Sequence, residues 1–492
     1  MARIGFRLNR IFGKNTIVTD LLGVGYSAGV TITPMFVIIG NVILMGKVLG
    51  FDTVGYASRE LFSCTLLYIF IFALLTASPF NSVLSRYMSD VIYKEQFDDI
   101  LPCYYVGALL NIAFTALLGI PFCIHEYFAG HVGILYVLTG YLGYVSLVFV
   151  FYSMLYLSIC KDYARIALFY LIGMAAAFVL SLIFAWGFGL SVPSSMLLAL
   201  VIGFFIIACF ELATVRYYFK KNSGHYKEVL IYFKKFYTLV LTNFCYTLGL
   251  YIHNFIFWNT DLKMITANSF VCAPPYDMAT CIAMFTNISA TVILIARMEM
   301  NFHDKYKAFS EAVIGGRGSD IRNCQDRMFH QLAVELMNLV RIQFIITVIV
   351  FLICVVFLPQ IGFSGMVMRI YPSLAVGYFI LFLMYSEIIF LFYFNDNFGA
   401  MLTAMIFLLT TGVASYFSSF LAEKWFGMGV VVGSYVGWTV GYMRLRWVER
   451  HMDVHTFCQG TLIPSQVGEP ESPKSYDAYA DSTNGVGGVS ND

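Results

Sequence analysis

Along most of this chain apolar residues run in stretches about as long as a helix needs to cross a hydrocarbon core, separated by short polar or glycine-rich turns. Twelve such stretches are predicted. The first half supplies them at about 24–49, 60–82, 100–124, 132–158, 165–189 and 194–216. The second half supplies 236–258, 276–299, 336–358, 373–395, 398–421 and 427–447. The pattern predicts an all-α integral membrane protein of about 12 transmembrane helices, six in each half. Two equal groups around a long linker are what an internal duplication gives, the halves being parallel repeats about an axis along the membrane normal.

Between and around the spans the pattern changes period. In residues 1–20, Arg3, Arg7, Arg10 and Lys14 share one helical face and Ile4, Leu8, Ile11 and Phe12 another, predicting an amphipathic helix lying on an anionic leaflet. The apolar run from Val24 to Leu49 is too long for a signal-peptide core, so no cleavage is expected. The first lobe then covers 21–216, a basic linker 217–235, and the second lobe 236–450. Within the second lobe, segment 300–335 includes Gly315, Gly316 and Gly318, then Ile321, Met328, Leu332 and Leu336 opposite Arg322, Asp326 and Arg327. That spacing predicts an amphipathic helix leading into the ninth span. The tail, 451–492, is mostly Ser, Gly, Pro, Asp and Glu beyond Pro464 and reads as disordered.

Composition narrows the class. At 59% hydrophobic and 12% charged, with a net charge of +1, the chain is far from the soluble balance and carries no global field for nucleic acid. Of its 30 basic residues, only Lys47, Arg59, Lys263, Arg369 and Lys424 fall outside if the N-terminus is cytoplasmic. Both termini are therefore expected in the cytoplasm of a multi-pass plasma-membrane protein. The linker carries Lys220, Lys221, Lys227, Lys234 and Lys235 among aromatics, which suits anionic membrane lipid or a cytoplasmic docking partner. The eleven cysteines occur singly, without metal-ligand spacing, and read as small membrane-core residues. His451 and His455 lie one turn apart with no further ligand, so no metal site and no cofactor are expected.

Candidate chemistry lies in polar groups set into apolar spans, which are costly in hydrocarbon and mark a bundle interior or a water-filled path. Asn243, Tyr246, His253, Asn254, Asn287 and Glu387 form the candidate substrate path, amides and aromatic ring faces being suited to hydroxyl-rich ligands. The same groups also suit helix-to-helix hydrogen bonding. Pro34 interrupts the first span, and Arg297 with Glu299 end the eighth, making these three the gate or hinge candidates. Pro79 breaks the second span, and Asn41 is the polar residue of the first. No Walker loop, GxSxG or HExxH is present, so an enzyme is not expected; the glycines of Gly427 to Gly437 read as helix packing.

Several stretches resemble one family. The opening MARIGFRLNRIF with GYSAGVTITP, the central GLYIHNFIFW and APPYDMATCIAMFTNISATVILIARMEMNFHDKYKAF, and the later FGMGVVVGSYVGW and HTFCQG resemble the PelG proteins, the membrane transport component of Pel-type exopolysaccharide systems. The resemblance implies a twelve-helix bundle of the MATE and polysaccharide-flippase superfamily, with two lobes around a cavity opening alternately to each side. It implies a polysaccharide substrate, a cytoplasmic glycosyltransferase partner and cyclic-di-GMP-responsive membrane regulators. Energy would come from polymerisation or from an ion gradient. Two other readings are weighed beside this one: a lipid-linked oligosaccharide flippase or MATE-type small-molecule antiporter, and a non-transporting scaffold for a synthase.

Overall fold

With no water in hydrocarbon to satisfy amides and carbonyls, each long apolar run closes its own hydrogen bonds as a helix. The computed structural model describes residues 17–160, 162–267, 269–284, 302–361 and 365–452. In the first half the helices are α1 (Ile17–Leu49), α2 (Tyr56–Tyr93), α3 (Ile100–Phe128), α4 (Ile134–Ile159), α5 (Tyr163–Leu182) and α6 (Val192–Tyr218). The linker folds as α7 (Tyr226–Lys235), and α8 (Tyr237–Phe257) opens the second half. Residues 274–284 form the helix α9. Then come α10 (His303–Gly315), α11 (Gly318–Phe357), α12 (Gly365–Tyr393), α13 (Asn397–Ser418) and α14 (Met428–Arg450).

Among the described residues, nine helices are long and apolar enough to cross a membrane: α2 to α6, α8 and α11 to α13. Spans one and twelve coincide with α1 and α14, and most of span eight lies outside the described residues. The amphipathic run after Gly318 and the ninth span are one continuous helix, α11, whose buried face carries Met328 and Leu332 and whose outer face carries Arg322, Asp326 and Arg327.

Each lobe has its own core. In the first, α4 and α5 pack on α6, α2 on α4 and α1 on α5. Its tyrosines bury their hydroxyls with partners: Tyr152 donates to the Tyr104 carbonyl at 2.6 Å, and Tyr104 shares a 2.8 Å bond with Ser153. In the second, α14 packs on α12 and α13, and α8 on α13. Glycines allow that close approach, as their spacing predicts: a side chain at Gly433 would meet Thr411, and one at Gly429 would meet Ser415.

The turn between α8 and α9, expected as a plain loop, is an antiparallel hairpin of β1 (Met264–Thr266) and β2 (Phe270–Cys272), with Met264 opposite Cys272 and Thr266 opposite Phe270. We refer to this end of the bundle as the hairpin face. The opposite end, which carries Lys94, the linker and the turn from Phe394 to Asp396, is the basic face.

Candidate functional site

Among the described residues the two lobes meet along the antiparallel helices α2 and α8. At the hairpin face the Tyr68 ring stacks on Trp258, centroids 5.0 Å apart and planes 10° apart. Further in, Phe72 stacks on Phe255 at 6.1 Å. Beyond the middle Asn243 donates to the Ser82 hydroxyl and, at 3.3 Å, to the Ser78 carbonyl. At the basic face the Arg86 guanidinium lies 4.2 Å over the Phe236 ring. The seam is therefore aromatic at one end and polar at the other.

Helical geometry sorts the path candidates on α8 into two faces. At 100° per residue, Asn243 and Asn254 are eleven apart and return to within about 20° of one another, as do Tyr246 and His253, seven apart. Tyr246 stacks on Tyr385 of α12 at 5.0 Å. His253 is buried, its Nδ1 sharing a 2.9 Å bond with the Tyr276 hydroxyl and its Nε2 lying 3.5 Å from that of Tyr378. Asn254 faces α9, where it donates to Asp277 at 2.7 Å. Trp258 donates from its indole to both Asp277 oxygens, at 3.0 and 3.1 Å, and the Ala273 amide donates at 2.9 Å. A buried carboxylate ringed by N–H donors is well compensated, and this one ties the end of α8 to the start of α9.

Glu387 occupies a separate place. It lies two residues from Tyr385, so the two side chains leave α12 in nearly opposite directions. Glu387 points toward α13 and α14, where a side chain at Gly441 would meet it. Its Oε2 is buried and has no hydrogen-bond partner among the described residues. Beside it opens a cavity of about 310 Å³ between α11, α12 and α14, lined by Leu336, Trp438 and Tyr442, with the Arg446–Glu449 ion pair also on its wall. Carboxylate and aromatic side chains that line one cavity suit a sugar hydroxyl or amine.

Pro34 is buried inside α1, Pro79 inside α2. Asn41 reaches two thioethers, Met45 at 3.3 Å and Met174 at 3.7 Å. Asn287, Arg297 and Glu299 lie outside the described residues. The five linker lysines are exposed. The linker helix α7 is held to the first lobe by other groups: Val229 is buried, His225 bonds Asp99 at 2.9 Å, and Tyr232 donates to Asp90 at 2.5 Å. Burial, and next the adjoining Asp90 carboxylate, keep the Tyr232 hydroxyl protonated well above the ordinary phenol range. Asp99, His225 and Glu228 have ligand atoms within 4.8 Å of one another, the metal-like cluster among the described residues; the His225–Asp99 hydrogen bond already accounts for its geometry.

Residues not singled out from sequence complete the basic end of the seam. Arg86 donates to Asn395 at 2.6 Å, in the turn between α12 and α13, and to Asn397 at 3.5 Å, the first residue of α13. Between those two, Asp396 accepts two bonds from Arg444 of α14, at 2.5 and 3.1 Å. The run Asn395-Asp396-Asn397 was the available signal: three small polar residues compressed between two long apolar runs.

The sequence model described as "PelG: Putative exopolysaccharide Exporter (EPS-E)" matches residues 1–457. The chain belongs to the PelG family. Among solved structures, this PelG-family chain is similar to an inward-facing multidrug resistance MATE family transporter of the MOP superfamily, at TM-score 0.54 and 13% identity over 87% of this chain and 95% of that one. An outward-facing MATE family transporter gives 0.53 and 15%, over 87% and 97%. A MOP superfamily transporter from Pyrococcus furiosus gives 0.52 and 15%, over 86% and 97%. No curated protein matches the sequence. PelG-family membership and the MATE-type fold together make the chain a multi-pass membrane transporter of the exopolysaccharide exporter class, not an enzyme.

Proposed function

We propose that this chain exports a Pel-like exopolysaccharide across the bacterial inner membrane, with both termini and the basic face in the cytoplasm. The observation that carries the reading is the family match over residues 1–457, which spans both lobes, the seam and the linker. The cytoplasmic glycosyltransferase would hand its polymer to the basic face, where Lys220, Lys221, Lys227, Lys234 and Lys235 present an exposed cationic surface to it or to anionic lipid. Cyclic-di-GMP-responsive membrane regulators would act on that same assembly.

Glu387 is the proposed sugar contact, because it lines the cavity of about 310 Å³ together with the Trp438 and Tyr442 rings. Asn243, Tyr246, His253 and Asn254 bond to or stack on protein groups, so their proposed part is to shape the wall of the path; Asn287 completes the proposed set. Pro34, Arg297 and Glu299 are the proposed hinge and gate residues.

The test is secreted polysaccharide, measured by sugar analysis in cells lacking the gene and complemented with the wild-type chain or Glu387→Gln. Loss of one specific extracellular polymer on deletion, restored by the wild type and not by the Gln variant, is the expected result. Unchanged secreted glycans would overturn the export reading, and normal export by Glu387→Gln would remove that carboxylate from the path. Export independent of a co-expressed glycosyltransferase would favour a flippase or antiporter.

A further inference from the structure

We propose that Cys64 and Cys272 form a disulfide fastening the hairpin of the second lobe to α2 of the first, on the side of the membrane away from the cytoplasm. The two residues are 208 positions apart, both are buried at 2% exposure, and their sulfurs are in contact at 2.6 Å. The contact is pinned from both sides. One turn along α2, the Tyr68 hydroxyl donates to the Val271 carbonyl at 2.7 Å and accepts from the Val271 amide at 3.2 Å, holding the residue next to Cys272 by both backbone groups. At the start of α2, Tyr56 donates to the thioether of Met264, the hairpin partner of Cys272, at 3.3 Å. Ser269 at the hairpin tip donates to buried Glu126 of α3.

Thiols are weak hydrogen-bond donors, so a shared S–H···S contact adds little to this already tethered corner. Oxidation gives the same juxtaposition a covalent purpose, and the compartment decides whether it happens: disulfides persist outside the cytoplasm and are reduced within it. The inference therefore rests on the proposed orientation, which places the hairpin face outside. It departs from the reading of every cysteine as a small core residue, for these two alone. The oxidant is a disulfide-donating protein of that compartment. One cysteine thiolate attacks a donor sulfur to form a mixed disulfide, and the other displaces the donor thiolate. The two cysteines lose two protons and two electrons, and the donor disulfide becomes a dithiol.

Thiol counting on the full-length chain tests this. Cells are quenched in acid, free thiols are blocked with N-ethylmaleimide in denaturant, and the protein is reduced and labelled with a maleimide-polyethylene glycol. Two tags added only after reduction are expected in the wild type, none in Cys64→Ser or Cys272→Ser, with mass spectrometry identifying the linked peptides. N-ethylmaleimide on both cysteines before reduction would overturn the proposal, and the wild-type measurement depends on no variant folding. In a parallel chain carrying Asn259→Cys, an impermeant maleimide applied to intact cells reads the side directly. Labelling there with free thiols at 64 and 272 overturns the disulfide and leaves the orientation standing. No labelling together with free thiols at 64 and 272 overturns both. Neither count depends on polymer being exported, so a failed secretion assay does not bear on it.

Discussion

Arg86 of the first lobe donates to Asn395 of the second across 2.6 Å, while the residue beside Asn395, Asp396, is bound to Arg444 of its own lobe. One short turn thus reports to both halves of the molecule. Its central carboxylate holds α14 and caps the start of α13, while Asn395 and Asn397, bonded to one another, both accept from Arg86 of α2.

Replacing Arg86 by Ala removes a charge-assisted contact and the ring cover over Phe236. Hydrogen bonds to charged groups contribute about 1.5–3 kcal/mol. The expected outcome is a lower melting temperature in detergent and a wider distance between spin labels on the basic ends of α2 and α8. An unchanged distance would mean that the contact does not hold the lobes together.

Trp258→Phe keeps a ring against Tyr68 but removes an indole donor from Asp277. The carboxylate retains Asn254 on one oxygen and the Ala273 amide on the other, so the expected loss is about 1.5–3 kcal/mol, that of one hydrogen bond to a charged group. Asp277→Asn, which turns an amide N–H toward donors on one side, is expected to cost at least as much. Thermal aggregation of the purified variants ranks them, and a wild-type midpoint for both would sink the argument.

At Gly433 a side chain would meet the backbone and side chain of Thr411. Gly433→Leu is expected to force α13 and α14 apart and destabilise by about 1–3 kcal/mol or more, the usual cost of overpacking. Gly40, with open space around its missing side chain, is the control and should tolerate Ala at that level of scrutiny. Equal folded yields for the Gly433 variant and the control would contradict close helix packing.

Charge reversal of Lys220, Lys221, Lys227, Lys234 and Lys235 tests the linker. These side chains are exposed while α7 is held by Val229, His225 and Tyr232, so the fold should survive. Polymer secretion is expected to fall sharply while sugar binding by the purified protein stays at the wild-type level. Loss of sugar binding would point instead to a damaged path.

The helical spans were legible because an amphipathic or wholly apolar period is a local property of sequence, and so were the linker and the glycine packing of α14. The pairing of α2 with α8 was not, since Ser82 and Asn243 are far apart in sequence and neither signals the other. Glu387 shows a different gap. Its cost in an apolar span marked it and helical spacing set it opposite Tyr385, but its neighbours, Gly441 and the cavity beside Trp438, follow only once α12 is placed. The hairpin was hidden because strands of three residues, such as Met264–Thr266, are too short to show a period.

The graded seam has a mechanical consequence. Hydrogen bonds at the Asn243 and Arg86 end can be traded for water one at a time, whereas the stacked rings at Tyr68 and Phe72 have no aqueous substitute. Separation of the helices then proceeds like a zipper drawn from the basic face, and hydrogen exchange along α8 should fall steadily from Tyr237 toward Trp258; a uniform profile would rule this out. The entrance would open by small reversible increments while the far end serves as a fixed pivot.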